Sequence, residues 1–142
     1  MGPRIYLRWS DDEGETWSPA RKISSAEEGR VDSEFPMIAA ADRGDVRVAW
    51  MDNRTERWNT WYRRSAHSGR TWSGTVRLSD RSDGAPYKSP RGFKFPYGDY
   101  GQLAVDGRGR THATWGEGPS YIGPGGAWYT RSAKPARNPG AS

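Results

Sequence analysis

The sequence predicts an all-β fold made of repeated units of short antiparallel strands, and three observations lead to this prediction. The chain of 142 residues is 13% aromatic but only 33% hydrophobic, so it has the rings of a folded core and few aliphatic residues. Gly 18 and Pro 10 interrupt the sequence too often for helices and are typical of many tight turns. Residues 10–24 and 65–79 also resemble each other closely, which indicates an internal repeat.

Composition and charge exclude several classes of protein. Lys+Arg 22 against Asp+Glu 17 leaves a net charge of +5, and the basic residues are scattered among acids, which predicts a solvated surface and no nucleic-acid partner. No apolar run is long enough for a membrane helix, and no signal peptide is visible near Met1. Cys 0 removes disulfides and thiolate metal sites. We expect neither a cofactor nor a metal.

Two repeats define the unit. Residues 10–24 align with 65–79 without a gap and are identical at six of fifteen positions. The predicted hairpin at 37–50 has a second copy at 102–115. The identical pairs of the first repeat are Ser10/Ser65, Gly14/Gly69, Thr16/Thr71, Trp17/Trp72, Ser18/Ser73 and Ser24/Ser79.

Each unit is predicted to contain four antiparallel strands, here called a to d. In the central unit they cover 37–41, 45–50, 58–64 and 75–79, and Val46, Val48 and Trp50 share one face by a period of two. Four-stranded sheets repeated at this spacing are typical of β-propeller blades. The prediction is therefore a partial β-propeller over 1–132 and a flexible tail over 133–142. Its parts are strands c–d of one blade (4–24), a full blade (35–79) and strands a–b–c of a further blade (99–132).

The turn at residues 10–17, Ser-Asp-Asp-Glu-Gly-Glu-Thr-Trp, has a pattern that predicts a closed conformation. Ser and Asp side chains can bond the backbone of a turn, Gly accepts positive φ, and the Trp ring is expected to be buried between neighbouring sheets. In the second copy His67 replaces Asp12, and we interpret it as a turn residue, with a titrating or metal role as the alternative. The structural residues of the two turns are Ser10, Asp12, Gly14, Thr16, Trp17, Ser65, His67, Gly69, Thr71 and Trp72.

These turns resemble the Asp-box, or bacterial neuraminidase (BNR) repeat, of sialidase-like β-propellers. The stretches 35–54 and 98–106 are similar to the same family, so the resemblance covers about 4–132. It implies a six-bladed sialidase-like propeller and an extracellular or periplasmic location. Asp-boxes are structural and also occur in propellers that are not sialidases, so the resemblance implies a fold more directly than an activity.

The resemblance also implies a catalytic set, which this chain matches at one place. Family sialidases bind the substrate carboxylate with three arginines and add an Asp acid/base and a Tyr nucleophile paired with Glu. Asp52-Asn53-Arg54 is similar to the context of the second arginine. However, 55–62 contains no Asp, and Glu34-Phe35-Pro36, the stretch most similar to the context of the first arginine, contains no Arg. We therefore expect glycan recognition without catalysis by this chain alone. The alternatives are an exo-sialidase-type glycoside hydrolase, as a fragment or assembled from several chains, and a structural or protein-binding scaffold.

The candidate ligand-binding residues lie where predicted strands begin or end. Asp52 and Arg54 follow strand b, and Asp99 and Tyr100 precede the next strand a; each pair has a structural alternative as an ion pair or turn. Trp58 and Trp61 flank strand c and are the candidate sugar platforms, with blade core as the alternative. The connection 80–98 is either a surface excursion or a ligand-contacting loop.

The expected partners are a carbohydrate, with an acidic glycan as the specific candidate, and further blades. A little over two blades is an open arc, which would expose rings such as Trp9 and Trp115 at its ends. Either three copies close a six-bladed ring as a homo-trimer, or the chain is a fragment of a longer one.

Overall fold

The computed structural model describes residues 2–24, 31–79, 100–117 and 126–131, and within them the chain is all-β. The predicted loop 80–98, Asp99 and the tail 133–142 lie outside these residues. The described strands form antiparallel sheets, as predicted, and no described helix is long and apolar enough to cross a membrane. The strands are β1 (Tyr6–Leu7), β2 (Arg21–Lys22), β3 (Ser33–Ala41), β4 (Asp45–Asp52), β5 (Asn59–Ser65), β6 (Val76–Arg77), β7 (Gly101–Val105), β8 (Thr111–Glu117) and β9 (Gly126–Arg131).

The central sheet has four strands in chain order, β3-β4-β5-β6, and each strand is antiparallel to the next. Strand β3 begins four residues earlier than the predicted strand a, because Ser33 and Glu34 also pair with β4. The register shifts between Glu34 and Met37, and Phe35 within this bulge has a φ of 56°, in the left-handed region that residues other than glycine seldom adopt. Because pairing with β4 resumes beyond the bulge, β3 extends through Pro36 to Ser33.

The three sheets are stacked face to face. The period of two along β4 sends Val48 and Trp50 to one side and Ala49 and Met51 to the other. Sheet 1 (β1-β2) packs on the first side and sheet 3 (β7-β8-β9) on the second; the central sheet is sheet 2. The cluster between sheets 1 and 2 contains Ile5, Ile23, Val48 and Trp50. The cluster between sheets 2 and 3 contains Met37, Ala49, Met51, Trp58, Leu103, Ala113 and Trp115.

A buried ion cluster joins sheets 2 and 3 beside this apolar core. Arg47 Nη2 lies 2.6 Å from Asp45 Oδ2, and Arg64 Nε lies 2.8 Å from Asp45 Oδ1. Arg47 also donates to Thr111 Oγ1 at 2.7 Å and to the Gly109 carbonyl, both in sheet 3 or its turn. Burial opposes ionisation of Asp45, but the hydrogen bonds from the two guanidinium groups outweigh it and lower the pKa of this carboxyl below its ordinary value.

The two repeated turns close with equivalent serine–glycine hydrogen bonds and differ at the position of Asp12. Ser10 Oγ accepts from the Gly14 N–H at 2.8 Å, and Ser65 Oγ accepts from the Gly69 N–H at 2.9 Å. Asp12 accepts from both the N–H and the hydroxyl of Thr16, whereas the Nδ1 of His67 lies 2.6 Å from Thr71 Oγ1. Hydrogen bonds from Ser10 and then Thr16 lower the pKa of Asp12 to about 2. His67 therefore occupies the place of Asp12 within the turn.

The rings that end the two turns differ in burial. Trp72 packs against the cluster between sheets 1 and 2, as predicted. Trp17 is 56% exposed, so the expectation of a buried ring is wrong at this turn, because no described sheet lies on its side of sheet 1. The predicted exposure of Trp115 is also wrong, since its ring is in the core between sheets 2 and 3.

Candidate functional site

Asp52, Arg54 and Trp61, three of the predicted ligand-binding residues, form one cluster at the end of β4. Asp52 is fully buried and accepts a hydrogen bond from Trp50 Nε1 at 2.8 Å. Arg54 Nε donates to Asp52 Oδ1 at 2.9 Å, and its Nη2 donates to Oδ2, so that the guanidinium meets the carboxylate in a fork. The ion pair that was the structural alternative for Asp52 and Arg54 is therefore present in this structure.

The guanidinium of Arg54 also stacks on an indole ring. Its Cζ lies 4.0 Å from the ring centroid of Trp61 and 6.0 Å from that of Trp50, within the range of cation–π attraction. The Arg54 side chain keeps 20% of its surface exposed. Carboxylate and ring together fix a positive charge in one orientation at the edge of the sheet. The Nε and Nη2 fork is occupied by Asp52, so another anion could meet only the exposed remainder of this guanidinium.

Trp58, the other predicted sugar platform, lies on the opposite side of sheet 2. It is 4% exposed and belongs to the core between sheets 2 and 3, with its ring centroid 6.1 Å from that of Phe35. A ring buried in this way cannot stack on a sugar. The structural alternative, a core residue, therefore describes Trp58, and it leaves the set of candidates.

Tyr100 is the most exposed large side chain of the candidate set. It is 77% exposed and directly precedes β7, while its predicted neighbour Asp99 lies outside the described residues. Gly101 lies against Met37 of β3 so closely that an added methyl group would collide with the Met37 sulfur. Sheets 2 and 3 repeat the same strand order, so Tyr100 lies towards the edge at which β3 begins.

Glu34 is a polar residue of this edge that the sequence did not single out. It pairs with Met51 at the start of β3, one position before the bulge. Burial, and then the charge of Asp32, raise the pKa of Glu34 above its ordinary value. A raised carboxyl pKa in a half-buried position is one sign of a functional site. The burial of Glu34 could not be predicted, because the bulge at Phe35 and Pro36 interrupts the alternation of faces along the strand.

Arg63, which the sequence analysis did not single out, links this side of sheet 2 to sheet 1. Its Nη1 donates to the Ile23 carbonyl at 2.8 Å, and its Nε donates to the Ser73 carbonyl at 2.8 Å. Burial, and then the charge of Arg54, lower the pKa of Arg63. The charges of Arg54 and Arg63 thus oppose each other on this side of sheet 2, while Asp52 balances that of Arg54.

The described residues include no group of three His, Cys, Asp or Glu side chains arranged to hold a metal ion. His112, the second histidine, lies 3.1 Å from Asp106 in the β7–β8 turn. Hydrogen bonds from the Arg110 backbone and the His112 ring lower the pKa of Asp106. Asp106 and His112 are thus engaged with each other and with Arg110 at the β7–β8 turn.

Comparison with known proteins found no family model that matches this chain and no curated protein that matches its sequence. The likeness to Asp-box proteins consequently rests on the residues of the two turns and on the strand pattern between them.

Proposed function

We propose that this chain is a sialidase-like Asp-box repeat protein, part of a β-propeller, that recognises an acidic glycan and does not hydrolyse it alone. Three stacked antiparallel sheets and a four-stranded sheet with consecutive connections support the fold proposed. Two turns with the Asp-box residues and equivalent hydrogen bonds support the family.

The geometry of Arg54 carries the proposal for the ligand. Its guanidinium is held by Asp52 and by the Trp61 ring, so little side-chain entropy remains to be lost when an anion binds. The carboxylate of an acidic sugar could approach the exposed part of this group. The exposed Tyr100 offers an aromatic ring with a hydroxyl next to β7, in sheet 3. Lack of catalysis follows from the single match to the family's catalytic set.

Calorimetric titration with a sialylated trisaccharide and with its uncharged lactose core tests the proposal. We expect binding of the charged sugar only. Arg54→Lys keeps the charge but removes the fork, and we expect it to weaken binding about 10- to 100-fold. Arg110→Lys is the matched control, because Arg110 is 21% exposed, makes a similar ion pair with Asp106, and lies at the turn between β7 and β8.

Three outcomes would contradict the proposal. Equal loss of affinity in the two variants, with unchanged melting temperatures, would show that Arg54 has no specific role. If the chain binds no acidic glycan on an array, the structural or protein-binding scaffold is the alternative that remains. Release of fluorophore from a sialoside by the chain alone, lost in Arg54→Lys, would instead make it a glycoside hydrolase.

A further inference from the structure

A cavity of about 270 Å³ lies beside the second repeated turn, residues 65–72, and shares no described lining residue with the cluster at the end of β4. Two basic side chains, Arg64 and His67, stand on its wall together with the Trp72 ring. Its described lining includes two hydroxyl groups and no carboxylate. The described lining residues are Arg64, Ala66, His67, Thr71, Trp72 and Ser73.

The first turn, residues 10–17, shows which group the second turn lacks. The carboxylate of Asp12 accepts from the Thr16 N–H at 2.9 Å, and it also accepts from the hydroxyl groups of Thr16 and Ser10. Hydrogen bonds from Ser10 and then Thr16 lower the pKa of Asp12 to about 2. A turn of this shape therefore stabilises a carboxylate.

His67 takes the place of Asp12 in the second turn and engages only part of the same set of donors. Its Nδ1 lies 2.6 Å from Thr71 Oγ1, as a carboxylate oxygen of Asp12 lies beside the Thr16 hydroxyl. When the Thr71 hydroxyl donates to Nδ1, the ring proton is on Nε2, which is then a donor. Nothing in the part of the chain that the structure describes accepts from the Thr71 N–H, the counterpart of the Thr16 N–H. The second turn therefore offers two N–H donors to a ligand.

We propose that this cavity binds a small carboxylate, which takes the role in the second turn that Asp12 has in the first. One oxygen accepts from the Thr71 N–H and the other from His67 Nε2. Arg64, held by its Nε at 2.8 Å from Asp45, adds a positive charge to the wall. Because no described lining residue is acidic, the bound anion meets no like charge there.

The repeat does not give the first turn the same site. The residues that correspond to Arg64, Ala66 and Arg70 are Trp9, Asp11 and Glu15, so acids replace a small and a basic residue around a turn that already contains its own carboxylate. The site proposed is thus a property of the second turn alone. It is independent of the glycan site proposed at Arg54.

Titration of the ¹⁵N-labelled chain with sodium acetate, followed at the amide resonance of Thr71, tests the proposal. We expect a saturable shift with its midpoint in the millimolar range, as suits so small a ligand, and no saturable shift with sodium chloride at equal ionic strength. Glucuronate should also shift this resonance, and the tighter of the two ligands tells whether a simple acid or an acidic sugar supplies the carboxylate. Arg54→Lys should bind acetate here as the wild type does, so the two proposals can fail separately.

His67→Asp provides the sharpest variant, because it builds the missing carboxylate into the turn. It should weaken acetate binding about tenfold or more without lowering the melting temperature. Arg70→Gln is the matched control: Arg70 is exposed on the same turn and outside the described lining, and its loss also makes the turn more negative by one charge. Its affinity for acetate should stay within about twofold of the wild type, since an exposed charge is screened.

Several results would overturn the proposal. The Thr71 amide could show no saturable shift with acetate, or the same shift with chloride. His67→Asp could bind acetate as the wild type does, or Arg70→Gln could lose as much affinity as His67→Asp. A saturable shift with zinc chloride and none with acetate would make the cavity a metal site instead.

Discussion

Replacement of Asp45 by asparagine tests the packing between sheets 2 and 3 at its most charged point. Asp45 is the shared partner of Arg47 and Arg64, and the side chains of Asp45 and Arg47 are 7% and 1% exposed. Asparagine has almost the same shape, so the substitution removes a charge and leaves the volume unchanged. Two guanidinium groups then face each other without an anion between them.

The expected cost can be estimated from this geometry. Removing one partner of a buried ion pair costs about 3–5 kcal/mol, because the remaining charge stays buried. The amide oxygen of the introduced asparagine could still accept one hydrogen bond, and Arg64, at 17% exposure, could turn towards solvent. We therefore expect a loss of about 3 kcal/mol in the free energy of unfolding. In a domain of this size that lowers the melting temperature by about 6–12 °C.

Urea denaturation of the wild type and Asp45→Asn at neutral and acid pH measures the effect. The pKa of Asp45 is lower in the folded chain than its ordinary 3.8, so the carboxylate stabilises the fold above that pH. This contribution is lost as the pH falls through the folded-state pKa. The difference between wild type and variant should therefore be complete at neutral pH and shrink below about pH 4.

Asp106→Asn is the matched control for this experiment. Asp106 also pairs with an arginine, Arg110, at 2.7 Å, but the two side chains are 23% and 21% exposed. A pair with this much solvent access should contribute less than the buried Asp45 pair. Equal losses in the two variants would refute the reasoning, since burial would then have no effect on the cost. A loss below about 1 kcal/mol for Asp45→Asn would refute it as well.

Two further predictions concern single residues. His67→Asp should leave the free energy of unfolding unchanged or raise it by up to about 1 kcal/mol. The reason is that aspartate could accept from both the N–H and the hydroxyl of Thr71, as Asp12 does from Thr16. A melting temperature that drops by many degrees would show that His67 has a role of its own. Glu34→Gln should melt higher than the wild type at neutral pH and equally at pH 3, because a raised pKa stabilises the fold below the ordinary 4.5 and this stabilisation is lost as the pH rises. A melting difference that is the same at both pH values would contradict the second prediction.

The strands could be predicted from the sequence because alternation and turn residues are local signals. Val48 and Trp50 share a face, as predicted, and the face is buried against sheet 1. The burial of Arg47, beside Val48, could not be predicted, because a charged residue on a strand normally indicates the solvated face. Its partner Thr111 is 64 residues away, and only the stacking of the sheets brings the two together.

The candidate site was predictable in part. Asp52 and Arg54 are close in sequence, and their pairing follows from two residues at a strand end. Trp58 and Trp61 are three positions apart, so a period of two puts them on opposite faces of sheet 2. Burial of the Trp58 face by sheet 3 is not a local signal and did not follow from the sequence. The bulge at Phe35 likewise concealed Glu34, since a bulge reverses the faces of the residues that precede it.

Burial of the motif residues depends on neighbours that the motif does not contain. Trp17 and Trp72 end turns with equivalent hydrogen bonds, yet only Trp72 meets an adjacent described sheet. Ile38 shows the same dependence inside sheet 2: it pairs with Val48, whose side chain is buried by sheet 1, but it is itself 57% exposed because the two-stranded sheet 1 covers the four-stranded sheet 2 incompletely. A repeated sequence thus specifies the shape of a turn, whereas the next sheet in the stack decides whether its ring stabilises the fold or is available to a partner.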